Sequence, residues 1–375
     1  MIELMENYKR LLKELPAPPK GKTGWPWDIE TDPAVYARLK KFSVISIVTP
    51  SFNQGEYIEQ TIRSVLLQNY PAMEYIIIDG GSNDNTIEII KKYERWLKHW
   101  ESTPDNGQSD AINKGIKICS GEIFNWLNSD DYYYQNCFFH LTQSFSSEKI
   151  YATAGSYRFF DEENEKKEKI IGLQLKPSVE ESIAFVLMDQ PSTFFRLQII
   201  KQLGGLDNRL KFVMDQDIWK KYLLRYGMEN IKVTKKNLTN FRLHGESKTS
   251  RNEFSEEYHG IFYSIALKLK LDKQAELIAD EFALNKNSGY DFKFEFREHD
   301  RIIAAKAINY LIYFLGRKHF TLGNHKKSAE FFSSTDAGML KKKHREELRK
   351  LKVKLKLIKI GLSSLIKKPL KAASA

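Results

Sequence analysis

Between residues 44 and 127 the chain alternates short, unbroken apolar runs with stretches of helical periodicity, and this alternation restricts its fold more than any other feature. Val44-Ile45-Ser46-Ile47-Val48 reads as a buried strand that ends at Thr49-Pro50. Residues 57–67 follow as a helix with Ile58, Ile62, Val65 and Leu66 on one face. Tyr75-Ile76-Ile77-Ile78 gives a second strand, 86–97 and 109–118 two further helices, and 123–127 another strand. Strands that are apolar on both faces need helices on both sides. The expected class is therefore α/β, with a Rossmann-like, mostly parallel central sheet. In such sheets ligands collect at the carboxyl ends of the strands.

Beyond residue 127 the pattern loosens. Residues 150–160 and 168–175 read as strands, 217–226 as a helix and 231–243 as another strand, and from about 251 the periodicity is mainly helical. The expected organisation is an arm at 1–41, a main domain at 42–250, a helical region at 251–338 and a basic amphipathic tail at 339–375. Two cysteines, Cys119 and Cys137, exclude a disulfide framework or a cysteine-based zinc site. The first thirty residues carry charges and prolines instead of an apolar core, and no run of about twenty apolar residues exists. These points favour a cytoplasmic setting.

Polar residues cluster where the strands should end. The clusters are Thr49-Pro50-Ser51-Phe52-Asn53-Gln54, Asp79-Gly80-Gly81-Ser82-Asn83-Asp84-Asn85-Thr86, Asp105-Asn106-Gly107-Gln108-Ser109-Asp110 with Asn113-Lys114-Gly115, and Asn128-Ser129-Asp130-Asp131. Asp84 and Thr86 suit a helix cap as well as a site. The last cluster places two adjacent carboxylates after a buried strand, where they repel unless something positive sits beside them. A hard divalent cation sharing its remaining sites with phosphates meets that need.

Taken together and in this order, the clusters resemble family 2 glycosyltransferases of the GT-A fold. The resemblance is dense from about residue 43 to 131 and resumes at 190–250. It implies transfer of a sugar from a nucleoside diphosphate donor, commonly UDP-linked, to an acceptor hydroxyl with inversion at the anomeric carbon. It further implies donor contacts from Thr49, Pro50, Ser51, Asn53, Asp79, Asp110, Lys114 and Asn128. By the same resemblance Asp130 is the first-choice ligand for Mn2+ or Mg2+, Asp131 the second, and His244 a third. Asn128 stands where the family's Asp-x-Asp motif has its first Asp. Phe212-Val213-Met214-Asp215-Gln216-Asp217-Ile218-Trp219 resembles the family's acidic helix start, which makes Asp215 the catalytic base. The competing reading has Asp215 as a helix cap and Asp217 as a first-turn dipole partner. Arg242 and Lys248 are placed to offset phosphate charge. The acceptor is expected to be a glycan or a lipid-linked glycan of cell-surface polysaccharide synthesis. Asn128 is the one residue that favours an alternative, a non-catalytic nucleotide-sugar-binding scaffold.

The formal net charge of +11 falls entirely between residues 341 and 371, and the rest of the chain balances. There Leu348, Leu351, Leu355, Ile358, Leu362 and Leu365 recur at steps of three and four, ahead of Pro369. This is a basic amphipathic helix, although 351–357 also alternate as a strand would. Such a helix suits the anionic inner face of a membrane, or else packs on its own domain with a solvated basic face. Without an aromatic residue to stack on bases, nucleic acid is not an expected partner.

Overall fold

The computed structural model describes residues 10–37, 39, 41–161, 168–245, 252–286 and 290–362. The chain divides into two compact units. The first is built from residues 1–174, 187–222 and 228–250, and the second from 175–186, 223–227 and 251–375.

The first unit holds a nine-stranded sheet. Its first half follows the alternation in the sequence: β1 (Ile45–Ser51), β2 (Met73–Asp79), β3 (His99–Ser102) and β4 (Ile123–Trp126) run parallel in the order β3-β2-β1-β4. Helices α1 (Ile58–Leu66), α2 (Thr86–Tyr93) and α3 (Gln108–Ile118) connect them. Every residue of β1 is buried, as a strand covered on both faces requires. The register Ser51 to Asp79 to Ser102 lines up the strand ends, so the polar clusters share one edge. At Gly115, a Cβ would lie 2.5 Å from a methyl of Val48. Only glycine lets α3 rest this closely on β1, which holds Asp110 and Lys114 at that same edge.

The second half of the sheet is mixed. It contains β5 (Tyr132–Tyr133), β6 (Ala152–Asp161), β7 (Lys169–Gly172), β8 (Thr193–Arg196) and β9 (Ile231–Leu243). β8 is antiparallel to β4 and to β6, β9 runs parallel to β6, and β5 pairs antiparallel with β9. Helices α4 (Cys137–Ser144), α5 (Val179–Phe185), α6 (Leu197–Gln202) and α7 (Met214–Tyr226) fall between these strands in the chain. The helix expected over 86–97 ends at Tyr93 in a 3-10 turn, and β3 follows without any apolar run to announce it.

The described part of the arm, from Arg10 onward, lies against this unit. Its anchor is Arg63 of α1, which is wholly buried. The guanidinium donates to the carbonyls of Pro16 (2.8 Å), Pro26 (3.0 Å) and Trp27 (2.6 Å) and to the Tyr93 hydroxyl (3.1 Å). The Trp25 indole N–H adds a bond to the Tyr133 carbonyl at 2.7 Å.

The second unit is helical, with α8 (Asn252–Lys268), α9 (Asp272–Glu281), α10 (Glu298–Thr321), α11 (His325–Ser333) and α12 (Lys342–Lys359). The 351–357 segment is thus helical and not a strand. Leu348, Leu351 and Leu355 of α12 are buried, and its Glu347 pairs with Arg317 at 3.0 Å. Leu365 and Pro369 lie outside the described residues.

Replacing Arg63 with Ala leaves two buried carbonyls and one half-buried carbonyl without that donor, at about 1–3 kcal/mol for each unsatisfied buried group. Urea denaturation of Arg63→Ala should show a loss of about 3–5 kcal/mol, and a loss below about 1 kcal/mol would contradict the anchoring role.

Candidate functional site

The Asn128–Asp131 turn leads straight into β5, and that pairing determines what it meets. Tyr132 is opposite Asn240 on β9, so continuing the antiparallel register by two residues brings Asp130 level with Arg242. The Arg242 backbone N–H donates to Asp131 Oδ1 at 2.9 Å, and its Nε donates to the Asp130 carbonyl at 3.0 Å. A terminal guanidinium nitrogen reaches Gln60 Oε1 at 2.7 Å, with the group over the Tyr57 and Phe160 rings at 4.8 and 5.1 Å. The Thr61 hydroxyl completes the turn, 2.8 and 2.7 Å from the carbonyls of Ser129 and Asp131.

The two carboxylates consequently differ. Asp131 is 1% exposed and turned inward. Burial first, and the neighbouring Asp130 second, push its carboxyl well above the ordinary range, against the opposing pull of Arg242. Asp130 keeps a partly open side chain, and its Oδ2 lies 2.9 Å from His244 Nε2. The positive group beside the paired carboxylates is therefore an arginine of the chain itself. Arg242 is 3% exposed and committed to these internal partners, which corrects the expectation that it faces phosphate. Lys248 lies outside the described residues.

Among the described residues no cluster of three His, Cys, Asp or Glu side chains is assembled for a metal. Asp130 and His244 offer two donors at one point, one oxygen and one nitrogen. That set fits an ion that takes its remaining ligands from phosphate and water. Asp131 faces away from them, because its oxygens are taken by Arg242 and by the Asn128 amide at 3.4 Å.

The residues expected to hold a donor are spread along the sheet edge. Thr49 shares a hydrogen bond with the Tyr75 hydroxyl, 3.1 Å away, inside the core. Ser51 Oγ is buried and has no hydrogen-bond partner among the described residues, a condition that buried hydroxyls seldom tolerate. Asn53 adopts φ 53° and accepts from the Asn83 N–H at 3.0 Å, which draws the first two loops together. Asp79 is fully buried and accepts from the N–H groups of Gly81 (3.1 Å) and Ser82 (2.8 Å) and the hydroxyls of Ser82 (2.5 Å) and Ser102 (2.6 Å). Gly81, at φ +85°, supplies the turn that this needs. Asp84 accepts from the N–H groups of Thr86 and Gly55, so it caps and ties loops. Asp110 accepts from Asn106 and Asn208 and stands 4.0 Å from Lys114. Asn128 Oδ1 accepts from Gln108 at 2.7 Å.

On the other side, Asp215 sits in the first turn of α7, one residue past its start, and so is not a cap. Its Oδ1 accepts from the Gln216 N–H (2.8 Å) and its Oδ2 from Gln216 Nε2 (2.9 Å). The side chain retains some surface, but its dense surroundings raise the carboxyl from 3.8 to about 6, with the Gln216 bonds and Lys220 opposing. Asp217 points elsewhere, to Lys221 at 2.6 Å. Lys220, fully buried near both, is lowered to about 7 by desolvation. The sequence reading missed Asp189, which burial and then Asp215 raise to about 7. It also missed Gln216, Gln60 and Ser102. Asp189 directly precedes residues 190–250, where the resemblance resumes, and that adjacency is its signal in the sequence.

Residues 46–204 match the family described as Glycosyl transferase family 2. That segment is where the chain resembles the family. A protein of Rickettsia typhi described as an uncharacterized glycosyltransferase is 29% identical over 194 residues, covering 48% of this chain and 58% of its own length. One from Rickettsia prowazekii, described likewise, is 26% identical over 270 residues, covering 66% and 81%. The chain also shares its fold with S. aureus TarS 1-349, whose crystal structure contains UDP-GlcNAc. The TM-score is 0.52 at 17% identity, over 85% of this chain and 92% of that one. The GT-A fold expected from the sequence is thereby established.

Arg242→Met keeps an apolar stem and removes the cation between the turn and α1. Chemical denaturation should show a loss of about 2–4 kcal/mol, and wild-type stability would contradict the role given to Arg242.

Proposed function

We propose that this chain transfers a sugar from a nucleoside diphosphate sugar, with UDP the preferred nucleotide, to an acceptor hydroxyl with inversion. The observation that carries the reading is Asp215, a carboxylate with its proton affinity raised to about 6 by its surroundings and partly open to the surface. A base of this affinity is ionised near neutrality yet still takes a proton well. Ser51 Oγ, without a hydrogen-bond partner among the described residues at the end of β1, suits a donor group, and the loops built by Asp79 and Asn53 shape that slot. Pro50, Asp110, Lys114 and Asn128 belong to the same edge. The TarS structure with UDP-GlcNAc lends support to UDP.

In the proposed displacement Asp215 takes the proton of the acceptor hydroxyl, whose oxygen attacks the anomeric carbon. The bond from that carbon to the diphosphate breaks on the opposite side, and the diphosphate leaves with its electron pair. Asp130 and His244 would hold Mn2+ or Mg2+, which supplies neutralisation of the departing charge when bound. Lys220, buried beneath Asp215, moderates the affinity of the base without reaching the reacting atoms.

Because Asp215 must be ionised, turnover should be present above about pH 6 and fall as pH drops through that value. Asp215→Asn should lower release of free nucleoside diphosphate by about 10²–10⁴-fold while leaving donor binding within about threefold. Wild-type turnover by that variant would remove Asp215 from the base role. Absence of release by the wild-type chain across a panel of nucleotide sugars, with and without manganese, would favour the scaffold reading.

A glycan or lipid-linked acceptor of cell-surface polysaccharide synthesis fits a cytoplasmic enzyme resting on the inner membrane face. No helix among the described residues is long and apolar enough to cross a membrane. With Leu348, Leu351 and Leu355 buried, what is left for a membrane is the basic face of α12 with Val353 (57% exposed), and Ile360 (66% exposed) just past its end. Vesicles containing phosphatidylglycerol should co-sediment the chain at low salt and release it in about 0.5 M salt, whereas phosphatidylcholine vesicles should not. Equal binding to both would contradict the electrostatic attachment.

A further inference from the structure

Asp215 owes its orientation to its neighbour in the chain. Gln216 is 2% exposed, and both ends of its amide are used. Its Oε1 accepts from the Met188 N–H at 3.1 Å, which fixes which way the amide points. Nε2 must then face the opposite way, where it lies 2.9 Å from Asp215 Oδ2 and 3.4 Å from the Met188 carbonyl. The Gln216 backbone N–H meets the other oxygen, Asp215 Oδ1, at 2.8 Å. One residue thus supplies a donor to each carboxylate oxygen, and the Met188 backbone secures that residue from a different segment.

We infer that Gln216 is the positioning residue of this active centre, holding the Asp215 carboxylate in one plane with a free lone pair turned to the acceptor. The inference rests on Asp215 being the base. Glutamine suits the position because its amide offers an acceptor to Met188 and a donor to Asp215 at once. A glutamate would keep the acceptor and lose the donor. A leucine would lose both while keeping a similar apolar bulk. The titratable groups facing Asp215 from the surrounding elements are Asp189 on the segment before β8, Lys220 on α7 and the neutral Tyr157 phenol on β6. Asp189 opposes ionisation of the pair and Lys220 favours it. Both Gln216 donors add to the favourable side; side-chain substitution leaves the backbone N–H and removes Nε2, which has a defined sign: Asp215 becomes harder to ionise.

The test is a titration of Asp215 in the full chain by carboxyl 13C NMR, with Asp215→Asn assigning the signal. Gln216→Leu should move the Asp215 midpoint up by about one pH unit, and Gln216→Glu by at least as much. Release of UDP from UDP-GlcNAc, with water as acceptor, should fall tenfold or more in both variants, with donor KM within about twofold and the acid limb displaced upward. Circular dichroism establishes folding, and Gln216→Glu, which retains the bond from Met188, serves if the leucine variant does not fold. An unchanged or lowered midpoint in a folded variant overturns the positioning role. Should Asp215→Asn keep wild-type turnover, the base reading fails, while the NMR midpoints still decide whether Gln216 controls Asp215.

Discussion

Two neighbouring carboxylates at the end of a buried strand are an electrostatic problem, and Arg242 is how this chain resolves it. The arginine comes from β9, more than a hundred residues later, and reaches the turn because β5 pairs with β9 in a fixed register. Its main chain secures Asp131, its side chain binds the Asp130 carbonyl and Gln60, and aromatic rings cover it. The turn, the first helix and the last strand of the sheet unit are joined at this point. With Asp131 satisfied inside, Asp130 is left to face outward beside His244. The same contact thus closes the sheet and leaves the two carboxylates in different surroundings, Asp131 internal and Asp130 open.

The acidic residues of this unit show how environment assigns work to a single side-chain type. Asp79 receives hydrogen bonds from its own loop on both oxygens and acts as a scaffold for the turn. Asp217 is neutralised by Lys221. Asp131 is desolvated and resists ionising. Asp215 lies between these extremes: crowding raises its proton affinity, and two donors and a nearby lysine keep the rise moderate. A base that functions near neutral pH needs such a compromise, since stronger satisfaction weakens it and stronger burial keeps it protonated.

The parallel half of the sheet was legible because each central strand is a continuous apolar run closed by polar residues. β3 was not, since His99-Trp100-Glu101-Ser102 is a half-buried edge with no such run. In the mixed half β6, β7 and β9 were read as strands without their directions, and the short β5 and β8 were not read at all, because pairing partners are set by contacts distant in sequence. Motifs brought Asp130, Asp215 and His244 forward as candidates. They gave no sign that Arg242 turns inward or that Asp79 is spent on its own loop. Those outcomes depend on which groups meet after folding, as the bond from Gln60 to a guanidinium 182 residues away illustrates.

Arg63 grips the arm through the carbonyls of Pro16, Pro26 and Trp27, atoms that every residue type carries. At these three points the arm is recognised by the path of its backbone and not by the identity of its side chains. Its composition is therefore freer to drift than its length: exchanging residues leaves the carbonyls in place, whereas an insertion or deletion between positions 16 and 27 carries them out of reach. A segment of low apparent information thus holds a tight constraint on spacing.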